Sequence, residues 1–345
     1  MRVDLHRHLE GSHSAAALAV VAARFGLKDP LFLDETTGLY HTAEALAPKL
    51  RLDGPSDDAT LFYACIERAR RAYVHLDAIR ELSRLAFLEA AAETDGVEMR
   101  VSLFSMTRTL LAHEHVVWRE LPPETFAERA RGVLLAVLGG RDDAAHVSPV
   151  PMLVRVGFSR TFESESHYRA LVPVLREHRP ELCGLDVLGI VTGADKEPMP
   201  EALRDMLEQL RPDFKDLTVH AGEFEDHSSV ERTLSLEPQG IGHGVHSVGS
   251  ESVLARLRDD GVTLEVCPSS NRLLIPSAIA ALEQHAGCAP LRALQRAGVH
   301  CVLGSDDPTP LGTSFAEEWQ VAVRLGVDME RLQQDSARRW AQLVG

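Results

Sequence analysis

Short apolar runs alternate with amphipathic stretches along almost the whole chain. Eight of the apolar runs have the length of strands, and in one of them Val262, Leu264 and Val266 alternate with other residues, as a strand with two distinct faces requires. The predicted strands cover residues 2–6, 97–104, 151–157, 183–189, 217–220, 240–243, 262–266 and 299–304.

The stretches between these runs predict helices. Leu18, Ala22 and Phe25 recur at helical spacing and stop before Gly26, which suits a helix C-cap, and residues 76–92 are strongly periodic as well. Strands that alternate with helices favour parallel βαβ units, and eight such units close a barrel. The predicted fold class is therefore α/β, a (β/α)8 TIM barrel.

The chain is longer than this barrel requires. It has 345 residues, whereas the barrel usually takes about 250, and much of the surplus falls in residues 28–75, where prolines and glycines stand among apolar residues. We predict a single domain over 1–345, in which 28–75 is a helical lid excursion over the barrel mouth after the first strand–helix unit. Residues 139–149, which begin with two glycines, are predicted to be an exposed loop.

Charge and cysteine usage exclude several classes of partner. The 36 basic and 51 acidic residues give a net charge of −15, without a basic run, so nucleic acid and anionic membranes are not expected partners. The five cysteines are scattered and form no C-x-x-C pair, which argues against a disulfide framework or a cysteine-rich zinc site. Without a leader-like or membrane-spanning apolar stretch, the predicted location is cytoplasmic.

Candidate metal ligands stand at the ends of the predicted strands. His6 and His8 are separated by one residue, so a strand would turn both to the same face, and His220, His243 and Asp306 end later strands. In an α/β barrel the catalytic residues come from the C-terminal ends of different strands. Three imidazoles and a carboxylate make a zinc set that leaves a position open for water. Any one of these residues alone would more often be structural.

Other zinc designs fit the sequence less well. His8-Leu-Glu10 matches the first half of the cytidine-deaminase signature, but the P-C-x-x-C half is absent. The H-E-x-x-H motif fails at Val117, its last position. The strand-four region 187–191 has no lysine, which binuclear amidohydrolases use as a modified metal bridge. One metal ion is therefore expected.

Seven segments in sequence order resemble the adenosine deaminase family of the amidohydrolase superfamily. They are DLHRHLEGS at 4–12, VEMRVS at 97–102, GLDVLG at 184–189, HAGE at 220–223, IGHG at 241–244, LEVCPSSN at 264–271 and SDDP at 305–308. Each segment is modest evidence by itself, but the ordered set covers nearly the whole chain.

The resemblance implies one zinc ion and a set of catalytic residues. The family pattern assigns the metal to four residues, His6, His8, His220 and Asp306. Asp306 would also accept a hydrogen bond from the attacking hydroxide.

The same pattern assigns acid–base and substrate roles. Glu223 would donate a proton to N1 of a purine, and His243 would orient the attacking water and accept its proton. Asp307 would bind N7, Gly189 would let a backbone amide approach N3, and Glu10 occupies the position that meets the sugar or its replacement.

The chain departs from the family at positions expected to shape the pocket wall. Ile190 and Val191 stand where adenosine deaminases have two acidic residues, and Gly240 stands where they have arginine. Glu10 replaces the aspartate of sugar-binding relatives and matches the glutamate of adenine-specific ones.

The expected function is hydrolytic deamination of a small-molecule purine, with adenosine or 2′-deoxyadenosine as the first choice. The same chemistry on adenine or on a modified adenine nucleoside is the alternative. A catalytically silent relative that only binds purines is a second alternative, against which the complete set of seven zinc and catalytic residues argues.

Overall fold

The computed structural model describes residues 1–161, 163–189 and 199–345. Its main sheet has eight parallel strands in the order β1-β4-β5-β6-β7-β8-β9-β10, and β2 and β3 form a small antiparallel pair. The strands are β1 Val3–His8, β2 Leu33–Asp34, β3 Leu39–Tyr40, β4 Gly96–Val101, β5 Met152–Ser159, β6 Gly184–Leu188, β7 Leu217–Ala221, β8 Gly240–His243, β9 Thr263–Val266 and β10 His300–Leu303.

The first and last strands of the main sheet meet just beyond the end of β10. The amide of His8 donates to the carbonyl of Asp306 at 2.8 Å, and the amide of Asp306 donates to the carbonyl of His6 at 2.8 Å. These two hydrogen bonds bring the sheet edges together. The predicted α/β fold, a (β/α)8 TIM barrel, is confirmed.

Helices connect the strands and cover the barrel. They are α1 Ala15–Phe25, α2 Ala43–Leu50, α3 Ala59–Arg70, α4 Leu76–Ala91, α5 Leu103–His113, α6 Pro123–Ala145, α7 Glu165–Glu177, α8 Glu201–Leu210, α9 His227–Thr233, α10 Glu251–Asp259, α11 Pro268–Leu274, α12 Pro276–Ala286, α13 Pro290–Arg296, α14 Pro308–Leu311, α15 Phe315–Arg324 and α16 Met329–Val344. Gly26 ends α1 in the left-handed conformation, at φ 67°, as its position after the periodic segment predicts. Within the described residues, no helix is long and apolar enough to span a membrane.

Charged side chains fill part of the barrel interior. Arg100 on β4 donates to Glu98 at 3.2 Å and to Asp186 at 3.3 Å, and it also binds Glu265. Arg155 on β5 donates twice to Glu98, both times at 2.8 Å. All five side chains are fully buried, so their charges must be paired to be tolerated there.

Two strand boundaries differ from the sequence-based prediction. Strand β1 continues beyond residue 6 to His8, so both histidines belong to the strand and lie on the same side of it. The strand predicted at 97–104 ends at Val101, because Leu103 already begins α5.

The loop predicted at 139–149 is wrong over most of its length, because α6 continues to Ala145. The glycines serve helix packing rather than a turn. A Cβ on Gly140 would lie 2.4 Å from the carbonyl oxygen of Arg80 and 2.7 Å from Cβ of Ser83 on α4. Only a residue without a side chain allows the two helices to approach so closely.

Residues 28–75 contain the pair β2–β3 and the helices α2 and α3. The apolar face of α3 carries Phe62 and Ile66, which pack with Leu274 and Leu311 from the C-terminal half of the chain. Helix α3 therefore lies against elements that follow the strand ends, which places it beside the cavity described next.

Candidate active site

A cavity of about 790 Å³ opens where the strands of the barrel end. Eight of the nine predicted site residues line it: His8, Glu10, Gly189, His220, Glu223, His243, Asp306 and Asp307. The ninth, His6, is fully buried. Positions scattered along the sequence are therefore brought to one site, as the barrel topology predicts.

Four of these side chains converge on one point. Nε2 of His8 lies 3.3 Å from Nε2 of His6 and 3.2 Å from Nε2 of His220. Oδ1 of Asp306 lies 3.4 Å from Nε2 of His8 and 3.7 Å from Nε2 of His6. Four ligands at typical zinc distances of about 2.0–2.2 Å in a tetrahedron would be roughly 3.3–3.6 Å apart. The donor atoms fit a zinc ion.

The opposite ring nitrogens of two of these imidazoles are bound by acceptors from the protein. Nδ1 of His220 lies 3.3 Å from Oδ1 of Asp186 and 3.2 Å from the carbonyl oxygen of Val187. Both partners are acceptors, so Nδ1 carries the proton and Nε2 presents a bare lone pair. Nδ1 of His6 faces Oε2 of Glu265 at 3.3 Å in the same way. The bare lone pairs of His6 and His220 are thus available as ligands for a metal ion.

Glycines leave the space that the His6 ring occupies. A Cβ on Gly242 in β8 would lie 2.7 Å from Cε1 of His6, and a Cβ on Gly304 would lie 2.3 Å from Cβ of His6. Any larger residue at either position would displace the imidazole.

Burial lowers the pKa of His6 well below its usual range, and its arginine and histidine neighbours act in the same direction.

Two site residues at the strand ends adopt a strained backbone conformation. His243 has φ 61° and Asp306 has φ 60°, in the left-handed region that non-glycine residues rarely adopt. Each such residue costs about 1–3 kcal/mol unless the surroundings hold it in place. At Asp306 the two backbone hydrogen bonds to β1 provide this restraint.

Glu223 and His243 form a second pair next to the ligand atoms. Nε2 of His243 lies 3.5 Å from Oε2 of Glu223 and 4.0 Å from Oδ2 of Asp306. Burial, reinforced by the negative charge of Asp306, raises the pKa of Glu223 well above its usual range. Burial lowers the pKa of His243 to about 3. Both shifts favour the uncharged forms, a protonated carboxyl beside a neutral imidazole.

The side-chain amide of Asn271 restrains the ring of His243. Its nitrogen Nδ2 lies 3.0 Å from Nδ1 of the imidazole, and both residues are buried. An asparagine amide can present either its NH2 group or its oxygen to such a nitrogen. When the oxygen accepts from Nδ1, Nε2 is left as a base toward the cavity.

Asp307 is packed against the loop that follows β1. A Cβ on Gly11 would lie 1.8 Å from Oδ1 of Asp307, so only glycine can occupy this position. Burial and the adjacent charge of Asp306 raise the pKa of Asp307 well above its usual range. A protonated Asp307 could donate a hydrogen bond to a ligand in the cavity.

Glu10 has one occupied and one free oxygen. Its Oε1 accepts from the amide of Ser102 at 3.2 Å and from Nη2 of Arg70 at 3.3 Å. Its Oε2 is buried and has no hydrogen-bond partner among the described residues. A buried acceptor of this kind usually has a partner, so a ligand or water is expected there.

The remaining predicted positions differ in what the structure shows. Gly189 has φ 94°, a conformation that favours glycine, and lines the cavity. Ile190 and Val191 lie outside the described residues. Gly240 begins β8, at the end of the strand opposite the cavity, so the expectation that it shapes the pocket wall is wrong. A Cβ there would lie 2.7 Å from Cγ2 of Thr218, 2.8 Å from Oε1 of Glu265 and 3.2 Å from Nη2 of Arg339, so the space beside Gly240 is already filled.

The residues that orient the histidines do not stand out from the sequence pattern as site residues. Asp186, Glu265 and Asn271 lie within the matching segments, but their roles depend on neighbours in adjacent strands. A polar residue within an otherwise apolar strand, as at Asp186 and Glu265, was the available signal.

Comparisons with known proteins agree with this architecture. In the solved structures, an amidohydrolase from Burkholderia ambifaria with bound zinc matches with a TM-score of 0.72 and 18% identity, covering 100% of this chain and 86% of its own. An adenine deaminase from Arthrobacter aurescens matches with a TM-score of 0.71 and 19% identity over 99% of this chain and 96% of its own. These similarities show the fold.

Sequence relatives are more similar to the chain. An adenosine deaminase from Salmonella paratyphi C is 28% identical over 336 residues, which cover 96% of this chain and 90% of the relative. An aminodeoxyfutalosine deaminase from Acidothermus cellulolyticus is 28% identical over 343 residues, covering 95% and 83% respectively. The adenosine deaminase family model matches residues 2–339. The protein is thus an aminohydrolase that acts on C–N bonds, and the chain belongs to the adenosine deaminase family.

Proposed function

We propose that the protein is a zinc-dependent deaminase of a 6-aminopurine nucleoside. Adenosine and 2′-deoxyadenosine are the first choices of substrate, and inosine or 2′-deoxyinosine and ammonia are the products. The observation that carries this proposal is the cluster around His8, whose Nε2 lies 3.2–3.4 Å from His6, His220 and Asp306, with His243 and Glu223 beside it. A binding protein would not need a proton donor at this place.

One zinc ion is proposed to bind His6, His8, His220 and Asp306. The support is the 3.2–3.4 Å spacing of Nε2 of His8 from the donor atoms of the other three residues, the 3.7 Å between His6 and Asp306, and the acceptors that fix Nδ1 of two of the imidazoles. The bound ion would supply a nucleophile at neutral pH, because zinc lowers the pKa of a coordinated water to about 7.

Glu223 is proposed as the proton donor to N1 of the purine. Attack on an aromatic carbon is difficult unless the adjacent ring nitrogen is protonated, so an acid is needed beside the substrate. Burial keeps this carboxyl protonated, and Glu223 lines the cavity within 3.5 Å of His243. A positioned acid typically contributes 10²–10⁴-fold to the rate.

His243 is proposed to orient the attacking water and to accept its proton. Its low pKa keeps the imidazole neutral. The side-chain nitrogen Nδ2 of Asn271 lies 3.0 Å from Nδ1, and turning the amide so that its oxygen accepts from Nδ1–H would leave Nε2 free as the base. Oδ2 of Asp306 lies 4.0 Å from this nitrogen and is proposed to accept a hydrogen bond from the same water. The two residues together would fix the direction of attack.

Three residues are proposed to hold the purine. Asp307, protonated through burial, would donate to N7, and the backbone at Gly189 would approach N3. Glu10 would meet the sugar side of the substrate through its free oxygen. The donors and acceptors are complementary to the edges of an aminopurine.

Adenine and modified adenine nucleosides are the second candidates. Glutamate at position 10 reaches further than the aspartate of sugar-binding relatives, which favours a smaller substrate on that side. The adenine deaminase and the aminodeoxyfutalosine deaminase among the similar proteins support testing both. The cavity volume of about 790 Å³ favours a nucleoside over a free base.

A substrate screen tests the proposal. Zinc-replete protein is mixed separately with adenosine, 2′-deoxyadenosine, adenine and N6-substituted analogues. The loss of the adenine absorbance band is measured together with the release of ammonia or, for the N6-substituted analogues, of the substituted amine. Rapid turnover of a nucleoside is expected. Rapid turnover of adenine alone would replace the first candidate by the second, and no turnover of any aminopurine would refute the proposed reaction.

A further inference from the structure

Arg70 reaches from α3 to the substrate side of the cavity. Its side chain is largely buried, and it connects Glu10 at the end of β1 with Glu67 on its own helix. The two nitrogen–oxygen distances are 3.3 Å to Glu10 and 2.5 Å to Glu67. Arg70 also lines the cavity itself. This arginine is therefore a direct link between residues 28–75 and the site.

We propose that Arg70 is a positioning residue that determines substrate specificity. It holds the carboxylate of Glu10 in one orientation, so that Oε2 receives a hydrogen bond from a donor on the sugar side of the purine. The preferred substrate class is thus an aminopurine that carries such a donor. This inference rests on the proposed function and adds a residue of the lid segment to the recognition of the substrate.

The hydrogen bonds of Glu10 carry the argument. Both donors from the protein, the amide of Ser102 and Nη2 of Arg70, bind the same oxygen, Oε1. Oε2 remains buried without a partner among the described residues. A buried acceptor without a partner is unfavourable, so a substrate that supplies a donor to Oε2 is favoured over one that does not. Without Arg70, the carboxylate could rotate, and either oxygen could meet solvent.

A purely structural role for Arg70 is the competing explanation. The end of α3 has another anchor, because the hydroxyl of Tyr73 lies 2.5 Å from Nε2 of His13. A further arginine on the same helix, Arg68, donates to the carbonyl of Lys49 at 2.9 Å and does not reach the site. Arg68 therefore provides a matched control for the loss of an arginine from α3.

The donor could come from two sources on the substrate. A nucleoside offers sugar hydroxyl groups, and free adenine offers the N–H of ring position 9. In 9-methyladenine both sources are absent while the reacting amino group is retained. Comparing adenosine, adenine and 9-methyladenine therefore separates the two sources from each other and from the chemistry of deamination.

The test measures kcat and KM of the wild type, Arg70→Met, Arg70→Lys and Arg68→Met with these three substrates. Arg70→Met should lower kcat/KM for the preferred donor-bearing substrate by about 10–100-fold, mainly through KM, because a hydrogen bond to a charged group contributes about 1.5–3 kcal/mol. The kcat/KM of Arg70→Met for 9-methyladenine should equal that of the wild type. Arg70→Lys should recover part of the loss, and Arg68→Met should match the wild type with every substrate.

Three outcomes would overturn the inference. An equal loss for 9-methyladenine and the donor-bearing substrates would show that Arg70 only supports the fold, and unaltered kinetics in Arg70→Met would show that it has no role. If the methionine variant fails to fold, a lysine variant that folds yet loses activity equally on all three substrates would likewise show a purely structural role. A wild type that deaminates none of the three, and neither 2′-deoxyadenosine nor a modified adenine nucleoside, would instead refute the proposed function, and the inference with it.

Discussion

Oε2 of Glu265 lies 3.3 Å from Nδ1 of His6, and the same carboxylate accepts a hydrogen bond from Arg100. Arg100 also donates to Asp186, whose Oδ1 lies 3.3 Å from Nδ1 of His220. One arginine in the barrel interior thus holds both carboxylates that orient two of the proposed zinc ligands. Such outer partners fix the ring and raise the basicity of the ligating nitrogen.

Glu265→Gln should weaken zinc binding by about 10–100-fold, because the charge that orients His6 is lost. Zinc affinity is measured by competition with a chelator. Glu98→Gln is the matched control: Glu98 also binds Arg100 in the barrel, but no hydrogen bond connects it to an imidazole among the described residues. The control should lose stability without a comparable loss of zinc affinity. If Glu265→Gln binds zinc as tightly as the wild type does, the proposed orienting role of Glu265 is contradicted.

Glu223→Gln should retain zinc and lose about 10²–10⁴ in kcat, which is the usual contribution of a positioned acid. The amide has nearly the same shape as the carboxyl but cannot give up a proton to N1. Metal content and kcat are measured on the same preparation, so that loss of the ion is not mistaken for loss of the acid. Near-normal turnover would rule out Glu223 as the proton donor.

Gly140→Ala should destabilise the protein by about 1–3 kcal/mol, the usual cost of overpacking. The new Cβ would lie 2.4 Å from a backbone carbonyl on α4, which cannot move away easily. At the adjacent Gly139, a Cβ would meet only the flexible side chain of Arg80 at 3.2 Å. Gly139→Ala should therefore be neutral or stabilising by up to about 1 kcal/mol, since alanine favours helix. Denaturant unfolding of both variants tests the difference, and equal effects would contradict this packing.

Glu318, which lies outside the candidate active site, should make the stability of the fold depend on pH. It accepts from the amide of Ser269 at 3.1 Å and from the hydroxyl of Thr313 at 2.8 Å, and burial raises its pKa from 4.5 to about 7. The folded protein holds this proton more tightly than the unfolded chain does. The free energy of unfolding should therefore fall as pH rises from about 4.5 to 7, by at most about 3 kcal/mol.

Glu318→Gln should remove this part of the pH dependence. Its stability relative to the wild type should increase between pH 5 and pH 8 in denaturant unfolding, whereas Glu317→Gln, at an exposed position on the same helix, should follow the wild type. Parallel curves for the wild type and Glu318→Gln would show that this carboxyl does not titrate as described.

The barrel and the cluster at its mouth could be predicted from the sequence because both follow from local patterns. Alternation places His6 and His8 on one side of β1, and the parallel topology brings His220 and Asp306 to the same end of the sheet. Knowing which strand each proposed ligand ends is sufficient to predict that the ligands meet at one end of the barrel.

Features that depend on contacts between distant elements could not be predicted in the same way. Gly140 was interpreted as part of a loop, although it lets α6 approach α4. The absence of an arginine at Gly240 gave no hint that side chains from other elements already fill the space beside it. The link between Arg70 and Glu10 joins residues 60 positions apart, and only the folded chain shows it.

Zinc titration of adenosine deamination tests the central claim most directly. Metal-free protein is loaded with increasing zinc, and ammonia release is measured at each ratio, with His220→Ala treated in parallel. We predict that activity rises linearly and stops at one zinc per chain, and that the variant neither holds the ion tightly nor gains activity. Activity without metal, saturation at two ions, or full activation of His220→Ala would contradict a single zinc centre built from these strand ends.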